Sequence, residues 1–112
     1  MTALAFKLRH RVNIQRLDIF IDSNDGSQVE EWVNFAQNEP AEIYPLSGRE
    51  FIAAQAVQAG ISTRFVLRWR NDLTESMRIV HEGKYYNIKS ILPDPSLRRH
   101  LTILCDSGVN NG

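Results

Sequence analysis

The chain has 112 residues, 43% of them apolar and 23% charged, proportions that fit one small folded domain and exclude both a disordered chain and a two-domain enzyme. No apolar run approaches the roughly 18 residues a membrane-spanning helix needs. Thirteen acidic residues balance thirteen basic ones, whereas a dedicated nucleic-acid binder of this size carries a clear basic excess.

The zero net charge hides a segregation along the chain. Residues 1–17 carry Lys7, Arg9, Arg11 and Arg16 with no acids, whereas residues 18–50 carry eight acids against Arg49, and residues 64–100 carry eight bases against four acids. Two arrangements follow: an acidic segment folded over a basic face of its own subunit, or head-to-tail association in which the acidic surface of one copy meets the basic surface of the next. Heterologous contacts of the second kind close into rings. Residues 1–8 lack the apolar stretch and cleavage site of a secretory signal, so the chain is expected to stay in a cytoplasm. A single cysteine, Cys105, forms no internal disulfide, and its alternation with Leu101 and Ile103 marks it as core filler.

In chain order, residues 11–21 read as a first strand, with Val12 and Ile14 on one face and Asn13 and Gln15 on the other. Turn chemistry follows in Asp22-Ser23-Asn24-Asp25-Gly26-Ser27, so residues 28–36 are expected to return antiparallel, anchored by Trp32. Residues 37–40 read as a polar connector and 41–46 as a short strand.

Ser47 and Glu50 form a capping box that starts a helix over about residues 48–59, stopped at Gly60. On its wheel Ile52, Ala53, Ala56, Val57 and Ala59 share a buried face, with Phe51, Gln55 and Gln58 opposite. Strict alternation then places Phe65, Leu67 and Trp69 on one face of a strand and Arg64, Val66, Arg68 and Arg70 on the other. Residues 77–81 and 85–92 form a hairpin about the turn Glu82-Gly83-Lys84. Pro93-Asp94-Pro95-Ser96 breaks that strand, and residues 98–106 supply the last, with Leu101, Ile103 and Cys105 inward. The expected fold is mainly β: a small antiparallel barrel or sandwich of about six to seven strands with one inserted helix and a long loop, in a single domain over 1–112 with flexible ends at about 1–8 and 107–112.

Nothing in the pattern supplies catalysis. His10, His81 and His100 are scattered without carboxylates or cysteine at ligand spacing, and there is no phosphate loop, nucleophile elbow or Cys-x-x-Cys. His81 alternates with Met77 and Ile79 and reads as structural. The chain is therefore read as a non-enzyme with no metal and no cofactor. Arg64, Arg68 and Arg70, with Tyr85, Tyr86 and Lys89 on a nearby hairpin, leave open a surface that tracks single-stranded nucleic acid.

Four segments carry a further signal: Arg9 to Gln15, Ala41 to Glu50 before the helix, the basic strand Arg64 to Arg70, and Glu82 to Ile88. In that order and spacing they resemble the head-tail joining (head-tail adaptor, head closure, head completion) family of tailed bacteriophages. One departure is Asn38-Glu39-Pro40 where the family carries an aromatic ahead of Ala41. The resemblance implies a β-barrel with a helix and a long loop, assembled as a ring beneath the portal of a DNA-filled capsid, retaining DNA and offering the tail a docking surface. Implied partners are other copies of the chain, the portal or connector, tail proteins and, transiently, packaged DNA, with no membrane. The implied location is the virion connector, assembled in the host cytoplasm. By position, Phe51, Gln55, Gln58 and Arg49 are expected at subunit or connector contacts. Asp22, Asn24, Asp25 and Gly26 are expected in a loop that rearranges on assembly, and Arg64, Arg68 and Arg70 against a neighbour's acids or the DNA channel. A tail-tube or tail-terminator ring subunit and a small single-strand-binding barrel are the alternatives.

Overall fold

Alternating apolar residues at period two demand a common interior, and in the computed structural model six antiparallel strands supply it by closing on one another. The structure describes residues 8–46, 48–49, 52, 60–94 and 99–107. The strands are β1 (His10–Ile21), β2 (Gln28–Pro45), β3 (Ile61–Arg68), β4 (Arg78–His81), β5 (Lys84–Pro93) and β6 (His100–Ser107). They close into a barrel in the order β1-β2-β3-β6-β5-β4. Closure removes the free edges that an open sheet of this size would present.

The interior is filled by Val12 and Ile14, Ala41, Phe65 and Leu67, Ile79, Ile88, and Leu101, Ile103 and Cys105, all buried. Every second residue of β3 and β6 points inward, as their alternation predicts, and Cys105 is a fully buried free thiol. Each fully buried aliphatic or aromatic side chain contributes roughly 1.5–3 kcal/mol relative to exposure. The Phe65 and Tyr86 rings meet edge to face at 5.0 Å, fixing β3 against β5 across the interior. The β4–β5 turn holds both Glu82 and Gly83 at positive φ, the backbone of a two-residue primed turn, so Lys84 belongs to the strand rather than to the turn.

Three expectations are corrected. The connector at 37–40 is strand: β2 runs unbroken for 18 residues, absorbing two elements the sequence suggests. It does so through bulges, since Val12 pairs with Glu39 and Ile14 with Ala36, and then Gln15 with Asn34, giving β2 extra residues at each step. Asn38 takes up the irregularity at φ 55°, its amide donating to Asn13 Oδ1 at 3.0 Å. Polar composition there marks a bulge, not a loop. Second, β3 ends at Arg68, so Arg70 is off its face; Arg70 turns to the edge of β2 instead, paired with Glu39. Third, Ile52, expected on the helix's buried face, is exposed and is not part of the barrel core. Gly48, Arg49 and Ile52 are helical, while Ser47, Glu50 and residues 53–59 lie outside the described residues.

Candidate functional site

The feature that departs from a plain barrel is an arm. β1 pairs with β4 only through Asn13, Ile14 and Gln15, and β2 pairs with β3 only from Ala41 to Pro45. Beyond those residues β1 and β2 continue together, from Arg16–Val33 out to Ile21–Gln28, as a two-stranded ribbon paired only with itself. The bulges of β2 sit at its root, where they add twist and turn it away from the barrel. The result is a molecule 53 Å long and only 30 × 26 Å across.

The loop expected at Asp22–Ser27 is the tip of this arm, between the two strands expected on either side of it, and it is internally bonded. The Asp22 amide donates to the Ser27 carbonyl at 2.8 Å, and the Gly26 amide to the Asp22 carbonyl at 2.8 Å. The Asn24 amide donates to Asp22 Oδ1 and the Ser27 amide to Asp25 Oδ1. That last bond holds the Asp25 carboxyl below its ordinary value. Gly26, at φ 75°, turns the chain. Along the arm Ile19, Phe20 and Ile21 are 56%, 46% and 64% exposed, interleaved with Asp18, Asp22, Asp25, Glu30 and Glu31.

The root is clamped by an arginine. Arg78 lies on the outer face of β4 yet is only 4% exposed, because its guanidinium is stacked between the Trp32 and Tyr85 rings, each 4.1 Å away. Its Nε donates to Gln15 Oε1 at 2.8 Å, and Gln15 Nε2 donates to Asn34 Oδ1 at 3.1 Å. One side chain therefore ties β1, β2 and β5 together where the arm leaves the barrel. Nη1 of Arg78 is buried without a hydrogen-bond partner, and burial lowers the affinity of the group for its proton. No local signal identifies this residue in the sequence, since its partners come from three other strands.

The sequence-selected residues separate. Asp22, Asn24, Asp25 and Gly26 do cluster, at the tip of the arm. Arg49 is exposed at the described start of the helix, and Phe51, Gln55 and Gln58 lie outside the described residues. Arg64, Arg68 and Arg70 are not one surface. Arg64 stacks on Tyr44 at 4.8 Å. Arg70 binds Asp72 through Nε at 2.7 Å and Nη2 at 2.9 Å, reaches Glu39 through Nη1 at 3.1 Å and lies over Phe35. That arrangement lowers the Asp72 carboxyl and raises Arg70. Only Arg68 is exposed.

Two further ion contacts stiffen the barrel. Buried Glu42 accepts from Arg9 Nη2 at 2.6 Å, which holds the carboxyl below its usual range. Lys89 Nζ lies 3.6 Å from Asp106. Far from scattered, His10 and His81 meet edge to face at 5.5 Å, but among the described residues no three His, Cys, Asp or Glu groups converge on a metal position. No helix among them is long and apolar enough to cross a membrane.

Comparisons with known proteins give the class. Residues 4–108 match the family described as phage head completion protein. The chain is 32% identical over 108 residues to head completion protein gp7 of Enterobacteria phage HK97, covering 92% of this chain and 95% of that protein. The chain belongs to the phage head completion protein family. Among solved structures it is similar to protein SF1141 from Shigella flexneri 2a, with a TM-score of 0.77 and 31% identity over 93% of this chain and 96% of the other. It also shares its fold with a chain in the virion of a native gene transfer agent particle, with a TM-score of 0.54 and 12% identity over 87% and 92% of the two chains.

Proposed function

We propose that this protein forms a ring at the head-tail connector, beneath the portal, where it closes the DNA-filled head and presents the surface to which the tail docks. Membership of the head completion family carries this reading. The arm supports its ring geometry: an acidic projection on a barrel with exposed bases suits heterologous contacts between copies, which close when the rotation allows. Arg64 and Arg70 are held by partners within the chain, which leaves little of the basic, aromatic track a single-strand-binding barrel would need.

The test is deletion of the gene in its parent phage or prophage, followed by induction and negative-stain electron microscopy. Heads that are empty or leaking DNA, with complete tails that accumulate unjoined, support the role, and normal virions reject it. Complete heads with tails of abnormal length would assign the protein to the tail tube or its terminator instead.

A further inference from the structure

Among the described residues the strands of the arm pair only with each other beyond the Trp32–Arg78 clamp, and the chemistry of the arm matches one surface of the barrel. On its outward face Leu17, Ile19 and Ile21 run in register with Trp32, Glu30 and Gln28, forming an apolar stripe edged by acid. Its other face carries Phe20, Val29 and Val33 with Asp18 and Glu31. Exposed apolar groups in such a continuous run mark an interface, and both ribbon edges offer unpaired backbone groups.

The matching surface lies on the outer face of β3, β6 and β5. Val66 pairs with Thr102 and Thr102 with Leu92, an apolar row that ends at Leu92, which is 48% exposed. One step along the strands, Arg68 pairs with His100, next to exposed Arg99. Arg11, opposite Pro40, extends the same basic row across β2. Arg11 and Arg68 are exposed and make no ion pair with another described residue, unlike Arg9, Arg16 and Arg70.

We infer that the arm of one copy docks on the β3–β6–β5 face of the next, its isoleucines over Val66, Thr102 and Leu92 and its acids against Arg68, Arg99 and Arg11. The occupant is a second copy of this chain because both halves of the match, apolar centre and opposite charge, are present on one molecule and are not paired with each other within it. This inference rests on the ring reading and names the surfaces that would build the ring.

The experiment is oxidative cross-linking in assembled particles. Cysteines are placed on the arm (Ile19→Cys or Ile21→Cys) and on the barrel face (Thr102→Cys or Leu92→Cys). The native Cys105 is fully buried and stays silent. Docking predicts a ladder of multimers on non-reducing gels that requires one cysteine of each kind, single variants giving dimers at most. If the protein is present in several copies per particle and no pairing yields a ladder, the docking is wrong while the ring stands. If particles lack the protein, both fall. Charge exchange gives an independent readout. Glu30→Lys, on the face that carries Ile19 and Ile21, should lower the yield of joined particles by roughly tenfold, since each 1.4 kcal/mol is a factor of ten. Adding Arg68→Glu and Arg99→Glu should restore the yield, and failure of that restoration in a folded, incorporated protein counts against the assignment.

Discussion

Arg78 offers the sharpest test of how the arm is held, because two physical expectations oppose each other there. Replacing a buried charge by an apolar group of similar length often costs nothing, since desolvation is relieved. Here the guanidinium is stacked between Trp32 and Tyr85 at 4.1 Å on each side and donates to Gln15 at 2.8 Å. Two desolvated cation–π contacts contribute about 2–3 kcal/mol together, and a hydrogen bond from a charged donor about 1.5. The unpartnered Nη1 and the burial of charge offset about 2–3 of that. Arg78→Met, which keeps the stem and removes the charge, should therefore cost about 1–2 kcal/mol, equivalent to a fall in Tm of roughly 5–10 °C for a domain of this size. Arg78→Lys should be worse than Met, because a strongly hydrated ammonium would be buried without the planar face that both rings stack against. The assay is urea unfolding followed by tryptophan fluorescence, in which Trp32 reports directly on the clamp. A Met variant as stable as the native chain, or a Lys variant more stable than Met, would refute the reasoning.

Other outcomes follow from named contacts. Glu42 is held below its unfolded value of about 4.5 by Arg9, so its contribution is fully present above that pH and is lost as pH falls through the lowered folded value; Glu42→Gln should be less stable than the native chain at neutral pH, with the gap closing in urea titrations carried out below pH 4.5. Burial pushes the Cys105 thiol well up, so a disulfide reagent should label it only at the rate of unfolding, and immediately in denaturant. Both residues of the β4–β5 turn have positive φ, Glu82 at 51° and Gly83 at 79°. Gly83→Ala should cost about 1 kcal/mol and Glu82→Asn should gain about 0.5, both read from denaturation midpoints. Excision of residues 18–31, with a short turn joining Leu17 to Trp32 so that the Arg78 clamp is kept, should leave the near-ultraviolet circular dichroism of the barrel core intact while abolishing particle joining.

What could be read from the chain depends on the range of the interactions concerned. Barrel strands with one wet face write themselves as alternation, which is why Phe65 and Leu67, or Leu101, Ile103 and Cys105, announce their burial. The β2 strand hides itself because its bulges break the alternation at Asn38-Glu39-Pro40, and a bulge and a loop use the same residue types. The basic strand misleads for a related reason. Spacing puts Arg64, Arg68 and Arg70 on one face, but β3 ends where its pairing with β6 ends, at Arg68 opposite His100, and those two strands are far apart in the chain. The Arg78 clamp, assembled from β1, β2 and β5, leaves no trace in any window of sequence.

The acidic run that first sets residues 18–50 apart acquires a physical role once it is placed on the arm. A two-stranded ribbon alone in water is marginal, and one with exposed Ile19, Phe20 and Ile21 and two open edges invites pairing with identical ribbons. Asp18, Asp22, Asp25, Glu30 and Glu31 oppose that pairing, because two arms brought edge to edge would set like charges against each other. Those same charges favour approach to a surface carrying Arg11, Arg68 and Arg99. Repulsion between arms and attraction to the barrel act together, so the geometry selects arm-on-barrel contacts over arm-on-arm ones. A heterologous contact of that kind can propagate into a ring, whereas arm pairing would end at a dimer. It follows that neutralising the arm, with Asp18→Asn, Glu30→Gln and Glu31→Gln, should do more than weaken docking: it should let free subunits self-associate through their arms, and sedimentation of the neutralised chain against the native one at equal concentration distinguishes this from a mere loss of contact.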